Sequence, residues 1–428
     1  MNPNFTFPEK LLHFIWQFQR FDPSNLETDS GEKLQIIQIG QLNTNAGPDF
    51  QEAKIKIGEM VWAGNVEIHI DSKDWELHNH HQNLDFDNII LHVVWENGKD
   101  IRRKNGQSIP TLSLKNRVSN SLIFEYQALM NNTTSIPCYS QFKQINDFTK
   151  MLMLEKVLVN RLERKAEIVV ETLKKCNGDW EETTYQLLGK TLGFGLNSIP
   201  FERLTQLVPL KILQKHSDHL LSIEALLFGT AGLIARPIDN YSQSLKKEFD
   251  FLQSKYNLPD SMAAHEWKFM RTRPANFPSI RIAQFAQMIQ QTKSLFSYFL
   301  LFENIDSLKQ MLKVKPSKYW ESRVNFGKIK SEKQIGIGEA TIENILINAI
   351  VPLLVAYSMF KNEPAYIEKA INLLEKLKPE KNKITRFWNQ LDFIAKNAFD
   401  SQALIELHNE YCQKKACLSC SIGVALLK

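Results

Sequence analysis

The sequence has few cysteines and no long apolar run, and each absence excludes a class of protein. Five cysteines in 428 residues are too few for a secreted fold built on disulfides. No run of about 18 apolar residues occurs, so a membrane span is not expected. Residues 1–20 also lack the basic start and small-residue cleavage site of a signal peptide. We therefore expect a cytoplasmic protein that has no membrane partner.

Several well-known catalytic and nucleotide-binding motifs are absent as well. The chain has neither a Walker A sequence nor a G-x-S-x-G nucleophile motif. Its composition, 43% hydrophobic and 23% charged, is that of an ordinary globular protein. The length predicts roughly two to three domains.

Charge is distributed unevenly along the chain. Residues 1–110 carry 10 Lys+Arg against 16 Asp+Glu, whereas the whole chain has a net charge of +5. The remainder is therefore basic. An acidic N-terminal part beside a basic remainder is suited to a metal site next to a surface that binds a polyanion. Random surface variation would give the same numbers, so this interpretation stays open.

Apolar periodicity predicts a small mixed-sheet domain over residues 1–110. A helical pattern comes first, then three alternating or apolar strand patterns, a short helix and a strongly apolar strand. The predicted order is α-β-β-β-α-β. The segments are residues 8–21, 34–39, 53–57, 61–70, 71–77 and 88–95.

The rest of the chain has mainly helical rather than strand patterns. Turn-forming residues predict a connector over 111–146, and helical patterns broken by prolines predict a helical array over 147–407. Residues 408–428 form a short segment that contains three of the five cysteines. The expected fold class is therefore α+β, with a small mixed-sheet domain followed by a larger all-α array.

Acids and histidines gather in the predicted sheet domain, where five of the ten histidines lie between His69 and His92. Carboxylates and imidazoles hold divalent metals. Asp49 and Glu67 belong to neighbouring predicted strands and are expected to bind Mg²⁺ or Mn²⁺ together. Glu67 and His69 are two residues apart, so their side chains share one face of a strand. A neutral His69 could then orient or deprotonate the attacking water.

The order of elements and these residues together resemble the PD-(D/E)XK nuclease fold over about residues 7–96. Pro48-Asp49 matches the "PD", and Glu67-Ile68-His69 matches "(D/E)XK" with histidine in place of the usual lysine. Glu9, in the first helix, lies where some members carry an additional acid. The resemblance implies metal-dependent hydrolysis of nucleic acid, with Asp49, Glu67, His69 and Glu9 as the catalytic residues.

Two other functions remain open from the sequence. One is a non-catalytic nucleic-acid-binding or scaffold protein on a degenerate nuclease fold. The other is a zinc metallohydrolase in which His78 and His81, at i, i+3 on one helix face, bind the metal with Asp85 or Asp87. His92 lies in an apolar strand and is expected to be a hydrogen-bonded core residue.

The C-terminal cysteines suggest a second metal site. Cys412, Cys417 and Cys420 have the spacing C-x4-C-x2-C, which suits thiolate ligands of Zn²⁺ or of an iron–sulfur cluster. A fourth ligand is missing from the run. His408, one helical turn before Cys412, or Cys138, in the connector, could supply it.

Cations and aromatic residues alternate in residues 267–281, at a junction rich in proline. Such cations can neutralise phosphates of a nucleic acid while aromatic rings stack on bases. An ordinary helix junction with its aromatic residues in the core would look the same. The candidate nucleic-acid-binding residues are Lys268, Arg271, Arg273 and Arg281.

Several segments along the chain are similar to one bacterial family, known as domain of unknown function 2851. This resemblance spans nearly the whole chain and implies no established activity. The segments are Asn45–Phe50, Gly64–His69, Glu224–Gly229, Arg273–Pro278 and Cys412–Cys420.

Overall fold

The computed structural model describes residues 7–329 and 336–428, which form two compact units. The first comprises the described residues of Met1–Leu154 and Glu406–Lys428, and the second comprises those of Glu155–Ile405. A mixed sheet lies in the first unit, called the sheet unit below, and the second is mainly helical. The predicted α+β class, with a mixed sheet followed by a larger helical region, is confirmed.

The strands of the sheet unit form one mixed sheet. They are β1 (Leu34–Gln38), β2 (Gln41–Leu42), β3 (Phe50–Ile57), β4 (Met60–Asp71), β5 (Ile89–Glu96) and β6 (Thr111–Ser113). The order across the sheet is β1-β3-β4-β5-β6, and β2 pairs with β3. Neighbours from β1 to β4 are antiparallel, whereas β5 is parallel to both β4 and β6. In the helical unit, β7 (Arg323–Asn325) and β8 (Lys328–Ile329) form a short hairpin.

The helices of the two units are, in chain order, α1 (Glu9–Gln17), α2 (Asp74–Leu77), α3 (Asn120–Asn131), α4 (Asp147–Lys175), α5 (Trp180–Leu192), α6 (Phe194–Leu207), α7 (Leu210–Gln214), α8 (Leu220–Thr230), α9 (Asn240–Tyr256), α10 (Pro278–Gln291), α11 (Leu295–Leu301), α12 (Ile305–Leu312), α13 (Glu339–Ile345), α14 (Val351–Lys361), α15 (Ala365–Lys376), α16 (Lys383–Asn389), α17 (Ala398–Glu406) and α18 (Ser421–Leu427). Two helices of the first unit, α1 and α2, contact β4, and the helices of the second unit pack on one another.

Burial explains why these segments adopt their structures. Strand β5 is buried along nearly its whole length, as its continuous apolar run requires of a strand with parallel neighbours on both sides. Helix α1 buries Leu11, Leu12, Ile15 and Trp16 on one side and contacts β4. The Trp16 indole donates a 3.1 Å hydrogen bond to the carbonyl of Ile39. These contacts fix α1, and the residues that it carries, against the sheet.

The structure groups some segments differently from the predicted boundaries. Residues 111–146, expected to be a connector, contain β6 and α3, because residues 111–113 pair with β5 at the sheet edge. Residues 408–428 belong to the sheet unit rather than standing alone. The predicted strand at 61–70 is part of one longer strand, β4.

One apolar helix of the helical unit is long enough to cross a membrane. It covers Glu339–Lys361, with a π-helical segment, Leu346–Ile350, between α13 and α14. In its most apolar window, 72% is buried inside the structure. Such burial is typical of the core helix of a soluble protein.

Candidate functional site

Asp49, the residue before β3, lies beside Glu67 of β4, at the end of this strand pair that is far from the connecting turn. The backbone amide of Asp49 donates to Glu67 Oε2 at 3.1 Å, and the amide of Ile68 donates to Asp49 Oδ2 at 2.9 Å. Each carboxylate is thus held by a backbone group of the neighbouring strand. The structure therefore brings together the two predicted metal-binding carboxylates.

The loop before β3 positions Asp49. The Asn43 side-chain amide donates to the carbonyls of Ala46 at 3.2 Å and Pro48 at 3.0 Å. The Asn43 backbone amide donates to the carbonyl of Asp49 at 2.7 Å. Gly47 adopts a φ of 104°, a conformation that side chains disfavour, so glycine suits this turn. Asn43 and Gly47 therefore fix the conformation of the loop that positions Asp49.

Helix α1 adds Glu9 and His13 to the same cluster. His13 Nε2 lies 3.4 Å from Asp49 Oδ2 and 3.9 Å from Glu9 Oε1. Burial raises the pKa of Glu9; nearby Asp49 acts in the same direction, while His13 opposes it. Sequence reasoning missed His13. The available signal was its spacing of four from Glu9, which places both side chains on one helix face.

His69 is buried beside Glu67 and is held by His92. Its Nδ1 lies 2.8 Å from His92 Nε2, and its Nε2 lies 3.7 Å from Glu67 Oε1. Burial, followed by the neighbouring imidazoles of His80 and His78, lowers the pKa of His69 to about 3. The ring is therefore neutral at physiological pH. The expectation that His92 is a hydrogen-bonded core residue is confirmed.

His78 and His80 reach the site because the chain turns sharply after α2. Helix α2 ends at Leu77, and Asn79 adopts the left-handed conformation with a φ of 59°, which asparagine tolerates better than most residues. The His80 ring then packs on Phe86, with centroids 4.0 Å apart.

Three imidazoles thereby form a group with the spacing of metal ligands. The ligand atoms of His69, His78 and His80 all lie within 4.8 Å of one another. His80 Nε2 is also 3.4 Å from Glu67 Oε1. His69, His78 and His80 are called the three-histidine group below, and Glu67 lies beside this group.

The prediction that His78 and His81 share one helix face is wrong. The two residues do not share a helix face, because α2 ends before either of them. His80 takes the predicted place of His81, whose Nε2 lies 3.1 Å from the Gln82 side chain. Asp85 and Asp87 are exposed and are not part of the three-histidine group.

Burial shifts the pKa values of the site towards the neutral forms of its groups. Burial first, and the adjacent Asp49 second, raise the pKa of Glu67 well above its usual range. Burial also lowers the pKa of His80 to about 4. Neutral imidazole is the form that binds metals, and a divalent cation would stabilise the ionised Glu67 carboxylate. The arrangement can thus hold a metal ion and activate its bound water.

The C-terminal cysteines lie in the sheet unit together with Cys138. Cys138, Cys417 and Cys420 are buried. Burial, followed by repulsion from Cys138 and from the other two C-terminal cysteines, raises the pKa of Cys412. His408, the other candidate ligand, is buried, and its Nδ1 lies 3.1 Å from Asn409 Oδ1.

The predicted nucleic-acid-binding cations divide into two groups. Lys268, Arg271 and Arg273 are exposed on the helical unit. Arg281 is buried and donates to Gln284 Oε1 and to Thr341 Oγ1, each at 2.9 Å. It is therefore an internal residue, since both terminal nitrogens of its guanidinium donate to neighbouring side chains. Burial lowers its pKa to about 10.

The chain is an α+β protein that joins a mixed sheet to a helical unit. Its candidate metal centre is the histidine–carboxylate cluster on the sheet. The chain belongs to the family described as "Protein of unknown function (DUF2851)", whose model matches residues 9–383. The match includes Glu9, Asp49 and the three-histidine group and ends before Cys412. No curated protein and no solved structure matches the chain.

Proposed function

We propose that this protein is a divalent-metal-dependent hydrolase that cleaves phosphodiester bonds in nucleic acid. The observation that carries the proposal is the three-histidine group, whose ligand atoms lie within 4.8 Å of one another beside Glu67. Asp49, hydrogen-bonded across β3 and β4, adds a second carboxylate. Such a ligand set can place a metal-bound water next to a phosphate.

The ligands favour a metal that accepts imidazole nitrogen. The sequence suggested Mg²⁺ or Mn²⁺, and Mg²⁺ prefers oxygen ligands and several waters. Imidazole suits the later transition metals, and Mn²⁺ accepts carboxylates as well. We therefore expect Mn²⁺ to support activity better than Mg²⁺. The ion would be held by His69, His78, His80 and Glu67. It would polarise the phosphate and the water bound to the ion.

The remaining residues of the cluster have supporting roles in this proposal. His92 holds the His69 ring through its 2.8 Å contact and so fixes which nitrogen faces the metal. Asp49 and Glu9 are the more exposed carboxylates, with His13 between them. This side of the cluster is where a substrate from solvent would approach and where a proton could leave.

Nucleic acid is the proposed substrate for two reasons. The strand order, antiparallel from β1 to β4 and then parallel to β5, is compatible with the sequence resemblance to the PD-(D/E)XK fold. The exposed cations Lys268, Arg271 and Arg273 could contact the phosphate backbone. A cytoplasmic location, expected from the low cysteine content, would give access to such substrates.

The test is cleavage of single-stranded and double-stranded DNA and RNA in Mn²⁺, Mg²⁺, Zn²⁺ or chelator. We expect cleavage that requires the metal and that Glu67→Gln and His80→Ala reduce at least tenfold. His81→Ala is the matched control, because His81 is adjacent in sequence but outside the three-histidine group. A wild-type protein that leaves all substrates intact in every metal would overturn the proposal.

A second candidate is a zinc hydrolase for a different substrate. Three imidazoles with an open position are a ligand set of catalytic zinc. Zinc-dependent hydrolysis of a small phosphodiester, such as bis(p-nitrophenyl) phosphate, without cleavage of nucleic acid would favour it. Salt-sensitive nucleic-acid binding that persists in Glu67→Gln, without cleavage by the wild type, would instead indicate a non-catalytic binding protein.

A further inference from the structure

Four of the five cysteines lie in the sheet unit. Three belong to the C-terminal run and the fourth follows α3. They are Cys138, Cys412, Cys417 and Cys420. None of the five cysteines, all within the described part of the chain, forms a disulfide. The reduced thiols are therefore available as ligands.

Short turns present the three C-terminal thiols. Cys412 ends the π-helical segment Leu407–Cys412, and Cys417 begins a 3-10 turn that ends at Ser419. The Cys420 amide donates to the Cys417 carbonyl at 3.3 Å. A side chain at Gly423 would place its Cβ 2.3 Å from the Cys417 carbonyl oxygen, so α18 packs directly on this turn.

The turn is also fixed to the region around Cys138. Lys415 donates a hydrogen bond to the carbonyl of Met130, near the end of α3. The amide of Ser421 lies 3.3 Å from the sulfur of Met153. Cys138 itself lies in a turn closed by the Gln141 amide, which donates to the Cys138 carbonyl at 3.1 Å. The fold thus brings together residues that are far apart in sequence.

Each of the four thiols interacts electrostatically with the other three. Burial raises the pKa of Cys138 to about 12 and that of Cys417 to about 11, with repulsion from neighbouring cysteines as a further cause. The pKa of Cys412 is raised by burial and by all three other cysteines. Thiols that lie near one another and have little contact with solvent are costly to ionise unless a cation compensates their charge.

We propose that Cys138, Cys412, Cys417 and Cys420 bind an iron–sulfur cluster. The run C-x4-C-x2-C with one distant cysteine is the ligand spacing of plant-type iron–sulfur proteins, although here the distant cysteine comes first. Cys138 completes the set of four thiolates that such a cluster requires. His408 is not needed as a ligand.

This inference does not depend on the proposed hydrolase, because it uses different residues and a different readout. The cysteine turn contacts α1, the helix that carries Glu9 and His13. The cluster would therefore fasten the chain end and the segment after α3 close to the helix that completes the candidate active site.

The test is the metal and sulfide content of the full-length protein purified without oxygen. We expect iron, acid-labile sulfide and a broad visible absorption that dithionite bleaches. Each of Cys138→Ser, Cys412→Ser, Cys417→Ser and Cys420→Ser should cause loss of most of the iron. Cys176→Ser is the matched control and should keep it, because Cys176 lies in the helical unit. His408→Gln should also keep the iron.

The wild-type measurement keeps the proposal testable even where a serine variant fails to fold. One zinc ion per chain, without sulfide, would overturn the iron–sulfur assignment. Absence of any metal from anaerobically purified and reconstituted protein would overturn the site itself. Retention of the cluster in Cys138→Ser together with its loss in His408→Gln would overturn the ligand set.

Discussion

His80 shows at the residue scale how a ligand can be placed by its neighbours. Its imidazole reaches Glu67 because Asn79 turns the chain in the left-handed conformation and because Phe86 stacks against the ring. His81, the next residue, instead contacts the Gln82 side chain. Two adjacent histidines therefore have different expected functions.

Replacement of His80 by alanine should weaken metal binding by at least tenfold, because it removes one imidazole of the three-histidine group. His81→Ala should leave the affinity within about twofold of the wild type. Isothermal titration calorimetry with Mn²⁺ or Zn²⁺ would measure both. Equal effects of the two substitutions would contradict the assigned ligand set.

Glu224, in α8, is a buried acid in the helical unit. It accepts a hydrogen bond from the Tyr241 hydroxyl. Burial raises its pKa from 4.5 to about 7. The folded state therefore binds the Glu224 proton more tightly than the unfolded state. Its contribution to stability is greatest below about pH 4.5 and is lost as the pH rises through about 7.

Glu224→Gln should remove this pH dependence and stabilise the helical unit above pH 7. The upper limit of the gain is on the order of 3 kcal/mol for a shift of this size. Denaturant unfolding of the variant and the wild type near pH 5 and near pH 8 would measure it. Glu375→Gln, an exposed substitution on α15, is the control and should show no such difference.

At the scale of elements, the approach of β4 to the start of β5 places Glu67 and His69 against His92. Gly64, in β4, permits this approach. A Cβ there would lie 2.5 Å from Ile90 Cγ2 and 2.6 Å from the Asn88 carbonyl oxygen. Since the second contact is with backbone, a side chain at position 64 would force the strands apart.

Gly64→Ala should therefore destabilise the sheet unit by about 1–3 kcal/mol, as overpacking does in well-packed interiors. It should weaken metal binding as well, because β4 carries two of the proposed ligands. Gly98→Ala is the control in the same unit, since the atoms nearest to its Cβ would belong to the flexible side chains of Asp71 and Lys73. Thermal unfolding and metal titration would compare them, and equal stabilities would contradict this account.

At the scale of the whole molecule, the chain leaves the sheet unit after Leu154 and returns to it at Glu406. The returning segment buries Leu407, Ile422 and Leu427. Burial of such side chains contributes about 1.5–3 kcal/mol each. The C-terminal segment is therefore a structural part of the sheet unit.

Truncation after Ile405 should destabilise the sheet unit by on the order of 5 kcal/mol and leave the helical unit largely unchanged. Hydrogen exchange followed by mass spectrometry should show faster exchange in β4 and β5, with α8 and α10 still protected. Removal of Lys428 alone is the control. Faster exchange in the helical unit only would contradict the grouping of the C-terminal segment.

Local patterns predicted most of the sheet unit. Alternation and apolar runs predicted the strands, and the two-residue spacing of Glu67 and His69 predicted their common face, because both depend on neighbours along one strand. His13, by contrast, joins Asp49 through the packing of α1 on the sheet. His78 and His80 join through a turn at Asn79, whose left-handed conformation breaks the helical spacing expected of His78 and His81.

The sequence by itself determined the α+β class, the placement of Asp49 and Glu67 at adjacent strands, and the C-x4-C-x2-C spacing. Each of these depends on periodicity or spacing within a short segment. Tertiary structure alone decided which histidines meet Glu67, that Arg281 is internal, and that Cys138 joins the C-terminal cysteines. Those outcomes depend on long-range packing, in which burial and steric fit select among contacts that local patterns leave equally open.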